Sequence, residues 1–526
     1  MKKMIKFYNA IFLLFPILTA GLLAIVCLIN GWERLFDNVD MAYFLIPEIK
    51  NIWLGLGILL LIMAFVWIIN KLIYTISKKI SQKGMRFAFI IGGIFLLTFL
   101  SRFTLTYAFR EDLIPYSDIK EVWDMAQGIY GWNIDYYTLF PAYMNYSAFM
   151  RKIIEIFGAN YFVILFLNTI MESTTAVFVG LIGWLVTKNE RAIIDAGLLY
   201  AFLLSNIFYV MMGTPDFITI CFNTIGLFLL MYVVVDKDRK KYIALIGAGL
   251  FLGIGASLKS FAIIILIAFG MVIFARNLEK KSKLTIKKIV IALLCVVCVI
   301  SVYKVTKEVL LRNTEKIMNV ELDESTATPH YFLIGLNTEG EGQIHIGTLS
   351  RLYYDKYIHN GHNVDEAKNY AWEILKKDWS TNYKDLPELF FKKILWAWQS
   401  DTIAIWYFDN SLGVNIDSSF EGIVDKVAKN IMPGISQMYY ILLLVLVFIS
   451  GIFVNREDNI NYGFEFLSLI IFGYSCLMLL TESQSRYKCL IFPYICVLAA
   501  MGGRKILKSV TKKISYKKLV ESGSDN

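Results

Sequence analysis

Long apolar blocks alternate with short charged segments along most of the chain. A helix needs about 20 consecutive apolar residues to cross about 30 Å of hydrocarbon, and most of the blocks come close to this length. The pattern therefore predicts an all-α polytopic membrane protein with about twelve transmembrane helices. These spans are predicted at 9–29, 52–70, 87–106, 160–186, 192–212, 217–235, 242–258, 260–275, 288–304, 435–454, 463–480 and 488–503.

The charged segments between the blocks indicate how the spans are oriented. Lys and Arg in short loops stay cytoplasmic, and with the N-terminus inside, the cytoplasmic segments carry most of the basic residues of the short loops. Twelve spans then place both termini in the cytoplasm. The first block follows Lys2, Lys3 and Lys6, as in a signal peptide, but it has no clear small-residue cleavage site, so we expect it to be retained.

Composition excludes several classes of function. The 526 residues are 57% hydrophobic and 18% charged, with a mean hydropathy of +0.56. Soluble domains are about half apolar and about a quarter charged, so a soluble enzyme, a disordered chain and a secreted disulfide scaffold are excluded. The net charge of +9 is explained by the cytoplasmic face and gives no indication of a nucleic-acid partner.

This topology divides the chain into five parts and places two long segments outside the membrane. The parts are an N-terminal two-helix hairpin with a basic cytoplasmic loop (1–86), a transmembrane catalytic module with a first large outer loop at 107–159 (87–304), an extracytoplasmic domain (305–434), C-terminal transmembrane helices (435–503) and a basic cytoplasmic tail (504–526).

The first outer loop is predicted to contain two amphipathic helices. After Pro115, apolar residues recur at helical spacing, so a capped helix should begin at Asp118 and lie on the membrane surface. A second helix of this kind is predicted at 143–157. The loop is therefore more than a linker.

The larger outer segment is predicted to be mainly helical. Asn363 and Glu366 have capping-box spacing before one helix. A second helix, at 386–399, mixes aromatic residues with lysines, which is typical of the headgroup interface. The Gly-rich stretch 335–342 precedes these two helices. It is equally consistent with close backbone approach to a ligand and with an ordinary surface turn.

Ionisable residues at the outer ends of the spans are the main candidates for chemistry. Taken singly, each is better explained as an ordinary interfacial charge whose side chain reaches towards water. Taken together, carboxylates and cations at one membrane depth predict a site for an anionic lipid headgroup. The members are Asp112, Asp118, Asp216, Lys259, Glu482, Arg486 and Lys488, with Arg102 and Arg110 on either side of the entry to the first outer loop.

Other polar residues have two interpretations each. Asn168 and Glu172 share one face of the fourth span, and we favour a hydrogen-bonded, protonated structural carboxyl over the proton site of a transporter. All four histidines lie in the large outer segment, but they do not supply a convincing set of three or four metal ligands, so no metal site is predicted. The seven cysteines fall in the spans or at their ends, which leaves no disulfide for the outer domains.

Several short motifs together resemble a known superfamily. The chain is similar to the polytopic GT-C glycosyltransferases that use polyprenyl-phosphate sugars, such as protein O-mannosyltransferases and the bacterial aminoarabinose transferase of lipid A. The resemblance extends over roughly residues 87–503. The motifs that carry it are Pro115-Tyr116-Ser117-Asp118 with Ala126, Phe140-Pro141, Phe157-Gly158, Ser257-Leu258-Lys259-Ser260, Ile334-Gly335-Leu336-Asn337 and Glu482-Ser483-Gln484-Ser485-Arg486-Tyr487 with Pro493.

This sequence also departs from the superfamily's common pattern. It has two extra spans before the Asp-bearing loop, and it lacks the adjacent Asp-Glu pair frequent in protein mannosyltransferases. The nearest acidic pair, Glu111-Asp112, comes earlier, so Asp112 competes with Asp118 as the base. The layout is closer to versions that decorate cell-surface polysaccharides or teichoic acids of Gram-positive bacteria, which implies a bacterial plasma membrane and argues against a protein acceptor.

The resemblance implies transfer of a sugar from an undecaprenyl-phosphate type of donor by an inverting displacement on the outer face. Asp118 is expected to be the general base. No cofactor is assigned, and a divalent metal stays open. Phosphate binding is expected from Lys259 and Arg486, with Arg102, Arg110 and Lys488 as further candidates, and sugar or acceptor binding from Asp112, Asp216, Glu482 and Asn337.

Two other functions stay open from the sequence. A transporter also commonly has twelve spans, although this chain shows no two-half repetition and has its largest loop outside, between spans nine and ten. A lipid-linked polysaccharide polymerase or ligase would share the donor and the outer loops.

Overall fold

The computed structural model describes most of the chain from residue 52 onwards. The described residues are 52–130, 137, 140–235, 242–279, 286–322, 327–338, 342, 364–398, 400–401, 403–412, 432–454 and 461–523. Within them the protein is helical without a named strand, and the isolated antiparallel bridge between Leu113 and Leu412 is the only β-type pairing. The predicted first span, 9–29, lies outside the described residues.

The helices of the transmembrane part follow the apolar blocks closely. The chain folds there into α1 (Ile52–Lys79), α2 (Lys83–Ala108), α5 (Tyr161–Thr187), α6 (Arg191–Ala201), α7 (Leu204–Tyr209), α8 (Asp216–Val235), α9 (Ile243–Leu258), α10 (Ala262–Glu279), α11 (Ile286–Met318), α16 (Met432–Val454), α17 (Tyr462–Leu480) and α18 (Phe492–Gly523).

An all-α polytopic membrane fold is confirmed, whereas the count of twelve spans stays a prediction. In the described residues, seven helices are long and apolar enough to cross a membrane, and eight if one bent pair is a single span. The helices α9 and α10 are shorter apolar helices of fewer than 18 residues in their apolar part. The last predicted span coincides with the start of α18, which continues well past it.

The predicted span at 192–212 is broken rather than continuous. The helices α6 and α7, with the short 3₁₀ turn that follows α7, meet at an angle of 57°. Leu203 between them has an extended backbone, and polar groups accompany the break. Arg102 donates to the carbonyl of Ala201 at 2.8 Å, and Glu172 accepts from residues on either side of the break, Tyr200 and Asn206. These partners, from two other helices, satisfy polar groups that a bend would otherwise leave unpaired in an apolar interior.

The helix α5 lies at the centre of the bundle and packs against α2, α6, α8 and α18. Small residues permit the closest approach: a Cβ at Gly180 would lie 2.6 Å from the carbonyl oxygen of Ile193 on α6. A similar contact joins α9 to α11, where a Cβ at Gly253 would lie 2.6 Å from the Cβ of Thr306. Such small-residue contacts let helix backbones approach closely inside a bilayer.

Both helices predicted in the first outer loop form, as α3 (Asp118–Ala126) and α4 (Pro141–Phe157). Two details of the prediction are wrong. Ser117 precedes α3 with a positive φ of 55° and makes no side-chain capping hydrogen bond. The apolar face of α3 is buried against α4 and other helices, with Val122 fully buried, so this face contacts protein and not lipid.

The segment predicted to be extracytoplasmic, 305–434, is named the outer domain. It contains α12 (Ala327–Leu336), α13 (Val364–Asn382), α14 (Leu386–Trp398) and α15 (Ile403–Ser411). Its mainly helical character in the described residues agrees with the prediction, while Asn363 of the proposed capping box lies outside them. The prediction that the lysines of α14 lie at the headgroup interface is wrong for one of them. Lys393 is fully buried, whereas its neighbour Lys392 is partly exposed and pairs with Glu388.

Candidate functional site

The Asp118 loop is joined to the outer domain before α3 begins. The N–H of Ile114 donates to the carbonyl of Ser411 at 2.9 Å, next to the bridge between Leu113 and Leu412. Asp118 then opens α3, where its carboxylate accepts a hydrogen bond of 3.2 Å from Tyr143 of α4. The adjacent Asp118 charge, together with burial, raises the pKa of Tyr143 well above its usual range, so the phenol stays protonated and donates.

Lys259 stands in the tight turn between α9 and α10 and pairs with Asp216. Its Nζ lies 2.5 Å from the Oδ1 of Asp216, the first residue of α8. Asp216 is almost fully buried and also accepts a hydrogen bond of 2.6 Å from Tyr209. The turn therefore presents a cation whose charge is largely matched by a carboxylate.

Arg486 lies on a short 3₁₀ helix, Ser485–Leu490, between two tyrosine rings. Its guanidinium carbon is 5.2 Å from the ring centre of Tyr407 and 5.3 Å from that of Tyr487. In the described part of the chain, its buried Nε has no hydrogen-bond partner and its guanidinium forms no ion pair. Asp118 nevertheless acts on it electrostatically. Because buried polar groups normally have a hydrogen-bond partner, this unpartnered N–H of a cation indicates a site for an anion.

Tyr487 connects these groups. Lys259 Nζ lies 4.7 Å from the centre of the Tyr487 ring, which Arg486 also contacts. The Tyr487 hydroxyl donates to the carboxylate of Glu482 at 2.7 Å, and Gln484 donates to the other oxygen of that carboxylate. Burial, and secondarily Glu482, raise the pKa of Tyr487 well above its usual range, so this phenol is a neutral donor.

The structure thus gathers Asp118, Asp216, Lys259, Glu482 and Arg486 around a set of tyrosines. The tyrosines come from α4, α7, α15 and the 3₁₀ helix, and sequence reasoning missed their role. Nothing in their spacing singled them out among 30 tyrosines, although Tyr487 lies inside a motif that we had already noted. They are Tyr143, Tyr209, Tyr407 and Tyr487.

Three other predicted phosphate ligands are engaged elsewhere. Arg102 is fully buried on α2 and its Nη2 lies 3.7 Å from the carboxylate of Glu172. Arg110, just after α2, pairs with its neighbour Glu111 at 2.8 Å on an exposed surface. Lys488 is fully buried and donates to the carbonyl of Ser400. We therefore do not retain them as phosphate ligands in the proposals below.

The remaining predicted positions are Asp112 and Asn337. Asp112 follows the end of α2, where its N–H donates to the carbonyl of Phe109 at 3.0 Å. Asn337 is buried directly after α12. The Gly-rich stretch packs on protein here, because a Cβ at Gly335 would collide with the backbone of Thr481. Residues 339–341 of that stretch lie outside the described residues.

The mid-membrane carboxyl Glu172 is hydrogen-bonded, as the favoured interpretation expected. One oxygen accepts from Tyr200 at 3.0 Å and from Asn206 at 2.9 Å, and the other faces Arg102. Its surroundings also explain the break between α6 and α7. The sequence had indicated the polar face of α5 but not its partner on α2.

The described residues contain no group of three or more His, Cys, Asp or Glu side chains that could hold a metal ion. His330 is buried on α12 against the ring of Phe140, at 5.1 Å between ring centres. Burial lowers its pKa to about 4, so it is neutral at neutral pH. The other three histidines lie outside the described residues.

Comparison with known families decides the class of protein. Residues 144–303 match the model of the dolichyl-phosphate-mannose-protein mannosyltransferase family, a little under a third of the chain. This match supports a membrane glycosyltransferase of the GT-C superfamily. The matched stretch includes the Lys259–Asp216 pair, whereas Asp118 and Arg486 lie on either side of it. No curated protein matches the chain closely enough to add a relative.

This assignment implies that the sugar donor is lipid-linked and that the protein crosses the membrane several times. It agrees with the resemblance found in the sequence motifs. A transporter is not favoured, because the family match and the cluster of charges at the ends of the spans both point to an enzyme.

Proposed function

We propose that this GT-C glycosyltransferase transfers a sugar from a polyprenyl-phosphate donor, of the undecaprenyl type, to a cell-surface glycan or teichoic acid. The reaction takes place on the outer face of a bacterial plasma membrane, with both termini in the cytoplasm. The bias of Lys and Arg towards the predicted cytoplasmic loops supports this orientation. The polyprenyl tail lies in the bilayer beside the spans.

One observation carries the proposal: Arg486 is a partly buried cation whose buried Nε has no hydrogen-bond partner and which forms no ion pair in the described residues. Within the described residues its guanidinium contacts two tyrosine rings and interacts electrostatically with Asp118 and Asp216. A phosphate group of the donor would supply the missing partner and could form two hydrogen bonds with the planar guanidinium. Arg486 therefore binds the donor phosphate and stabilises the charge that develops as it leaves.

Asp118 is the general base of the proposed reaction. Within the described residues its carboxylate accepts one hydrogen bond, from Tyr143, and keeps lone pairs for an acceptor hydroxyl. In the transfer, the acceptor oxygen attacks the anomeric carbon while the bond from that carbon to the phosphate oxygen breaks. The hydroxyl proton passes to Asp118, and polyprenyl phosphate leaves with the bonding electrons. A single displacement of this kind inverts the anomeric configuration.

Lys259 and Asp216 act together beside this centre. Asp216 offsets much of the charge of Lys259, so the pair adds less positive potential to the site than a lone lysine would. Its proposed role is to orient the donor. Glu482, held by Tyr487 and Gln484, presents acceptor oxygens that suit sugar hydroxyls. For Asp112 and Asn337 we propose contacts with the acceptor.

The proposal is tested by transfer assays on purified full-length enzyme with a polyprenyl-phosphate sugar. R486Q should lower kcat/KM by about a hundred-fold or more, as expected for loss of one preorganised charge. R486K should restore little, since an ammonium cannot reproduce the planar fork. R312Q is the control, because Arg312 is an exposed arginine that pairs with Glu308 and Glu315 on α11. Wild-type transfer by R486Q would refute the phosphate role.

The acceptor is tested in cells that lack the protein. Loss of a single sugar substituent from a cell-surface glycan or teichoic acid is expected. Loss of a sugar from proteins would instead mean that the acceptor is a protein, as the name of the matched family indicates. Loss of whole glycan chains would favour a polymerase or ligase.

A further inference from the structure

Two buried lysines join the outer domain to the segment that carries Arg486. Lys393, on α14 of the outer domain, donates to the carbonyl of Thr481 at 2.7 Å and to that of Gly335. Lys488, at the other end of the segment, donates in the opposite direction, to the carbonyl of Ser400 just after α14. Both side chains are fully buried. The two ends of residues 481–488 are thus attached to the same domain by reciprocal contacts.

Burying two lysine side chains costs free energy, because each ammonium group loses its contact with water. Each lysine gives up its hydration for backbone carbonyls, and burial lowers the pKa of Lys393 to about 7 although Glu482 acts in the opposite direction. Lys488 acts electrostatically on Asp401. Burial raises the pKa of Asp401 to about 6, and the charge of Lys488 acts in the opposite direction. Apolar residues of similar size would fill these positions at lower cost, but they would bind no carbonyl.

Neighbouring contacts show how closely the segment fits the outer domain. The N–H of Ser483 donates to the carbonyl of Gly342 at 3.0 Å. Gly342 has a φ of +75°, and a Cβ there would lie 2.7 Å from the side chain of Lys393. Gly335 similarly leaves no room for a Cβ against Thr481. The backbone of the segment is therefore held at both ends and at one point between them.

Arg486 lies within this held segment, and one of its two ring partners, Tyr407, belongs to the outer domain. A shift of the segment away from the domain would move the guanidinium away from Tyr407 and from Asp118, whose loop is also joined to α15. We propose that Lys393 and Lys488 are positioning residues that hold Arg486 in register with Asp118 for binding of the donor phosphate. This inference rests on the proposed role of Arg486.

The first arm of the test measures backbone hydrogen–deuterium exchange in the full-length enzyme in detergent. K393M and K488M should speed exchange in residues 481–491, which include the N–H groups of Ser483 and Tyr487. K392M is the matched control, since Lys392 is the adjacent lysine, is partly exposed and pairs with Glu388. Unchanged exchange in both K393M and K488M would overturn the inference. If K393M does not fold, K393Q, which keeps an N–H donor, should show a smaller increase.

The second arm measures binding of a polyprenyl monophosphate in a double-mutant cycle. In the wild-type background K393M should weaken binding about five-fold or more, but in the R486Q background by less than about two-fold, because a positioning residue acts through Arg486. Equal effects in both backgrounds would mean that Lys393 acts on the phosphate by its own charge, which overturns the inference. Equal binding by wild type and R486Q would instead refute the proposed function, while the exchange arm would still decide whether the lysines hold the segment.

Discussion

Asp118 acts electrostatically on Arg486 without forming an ion pair with it. The other cations of the same region have nearer partners: Lys259 pairs with Asp216, and the two buried lysines donate to backbone carbonyls. A bound group that carries both an anion and a hydroxyl donor could interact with each of these opposite charges. A sugar phosphate and an acceptor hydroxyl are such groups, which is why the predictions centre on this pair.

Replacement of Asp118 by Asn should remove the proposed base while keeping the shape of the side chain. The amide can still accept a hydrogen bond from Tyr143, so folding should be little changed. Transfer from the polyprenyl-phosphate sugar should fall by about a hundred-fold or more, the usual effect of losing general base catalysis. Initial rates at equal amounts of folded protein are the measurement.

Two further variants make that result specific. D124N, on the same helix, removes a carboxylate that pairs with Lys120 on the exposed side, and it should transfer at nearly the wild-type rate. D112N tests the competing assignment from the sequence. If D112N loses activity and D118N keeps it, the base has been assigned to the wrong aspartate.

Variants of the Lys259–Asp216 pair should affect the stability of the protein and its transfer activity differently. K259Q leaves the buried Asp216 carboxylate without its counter-charge and should destabilise the protein by about 2 kcal/mol, somewhat less than for a fully buried pair because Lys259 is partly exposed. The double variant K259Q/D216N removes both charges and should recover most of the stability but not the transfer activity. Thermal unfolding and initial rates measured together test this. Recovery of both would mean that the pair is only structural.

The buried contact between Glu172 and Arg102 separates the enzyme from the transporter interpretation. In E172Q the remaining oxygen still accepts from Tyr200 and Asn206, but Arg102 loses its nearby charge. We expect a lower unfolding midpoint and near-normal transfer per folded molecule, because the carboxyl lies in the helix core and takes no part in the proposed reaction. Complete loss of function in a fully folded E172Q protein would instead favour a proton-coupled transporter.

The amino-acid pattern was sufficient for most of the helices but not for their surroundings. Apolar block length gave α2, α5, α8 and α17 to within a few residues, because a span must satisfy its own backbone in lipid. The break at Leu203 could not be predicted, since no proline or glycine marks it and its polar partners come from distant helices. Apolar periodicity likewise predicted α3 but could not tell a lipid surface from a protein surface as its neighbour.

The candidate site shows the same limit. Position at the ends of spans indicated a set that includes Asp118, Lys259 and Arg486. Lys259 and Arg486 both contact the ring of Tyr487, and Asp118 acts electrostatically on Arg486. Position alone could not distinguish them from Lys488, which lies two residues from Arg486 in the sequence but is buried on a carbonyl. Which of two nearby cations remains unpaired depends on tertiary contacts, and those have no signature in a single sequence.

His330 should make the stability of the protein depend on pH in a defined direction. Burial lowers its pKa to about 4 in the folded protein, against about 6.5 in an unfolded chain. Between these values the unfolded chain binds more protons, so stability is full above pH 6.5 and is lost as the pH falls towards 4. At pH 5 the linkage amounts to about 2 kcal/mol relative to pH 7.5.

The variant H330F isolates this effect because phenylalanine keeps the ring against Phe140 but cannot titrate. Other groups, such as the buried Asp401 with its pKa of about 6, contribute equally to both proteins and cancel in the comparison. Unfolding midpoints of wild type and H330F should therefore be measured at pH 7.5 and pH 5. The wild type should lose more stability than the variant on acidification, whatever the offset between them at pH 7.5. Parallel losses would mean that His330 is protonated without hindrance in the folded protein, and that its burial on α12 is not maintained in solution.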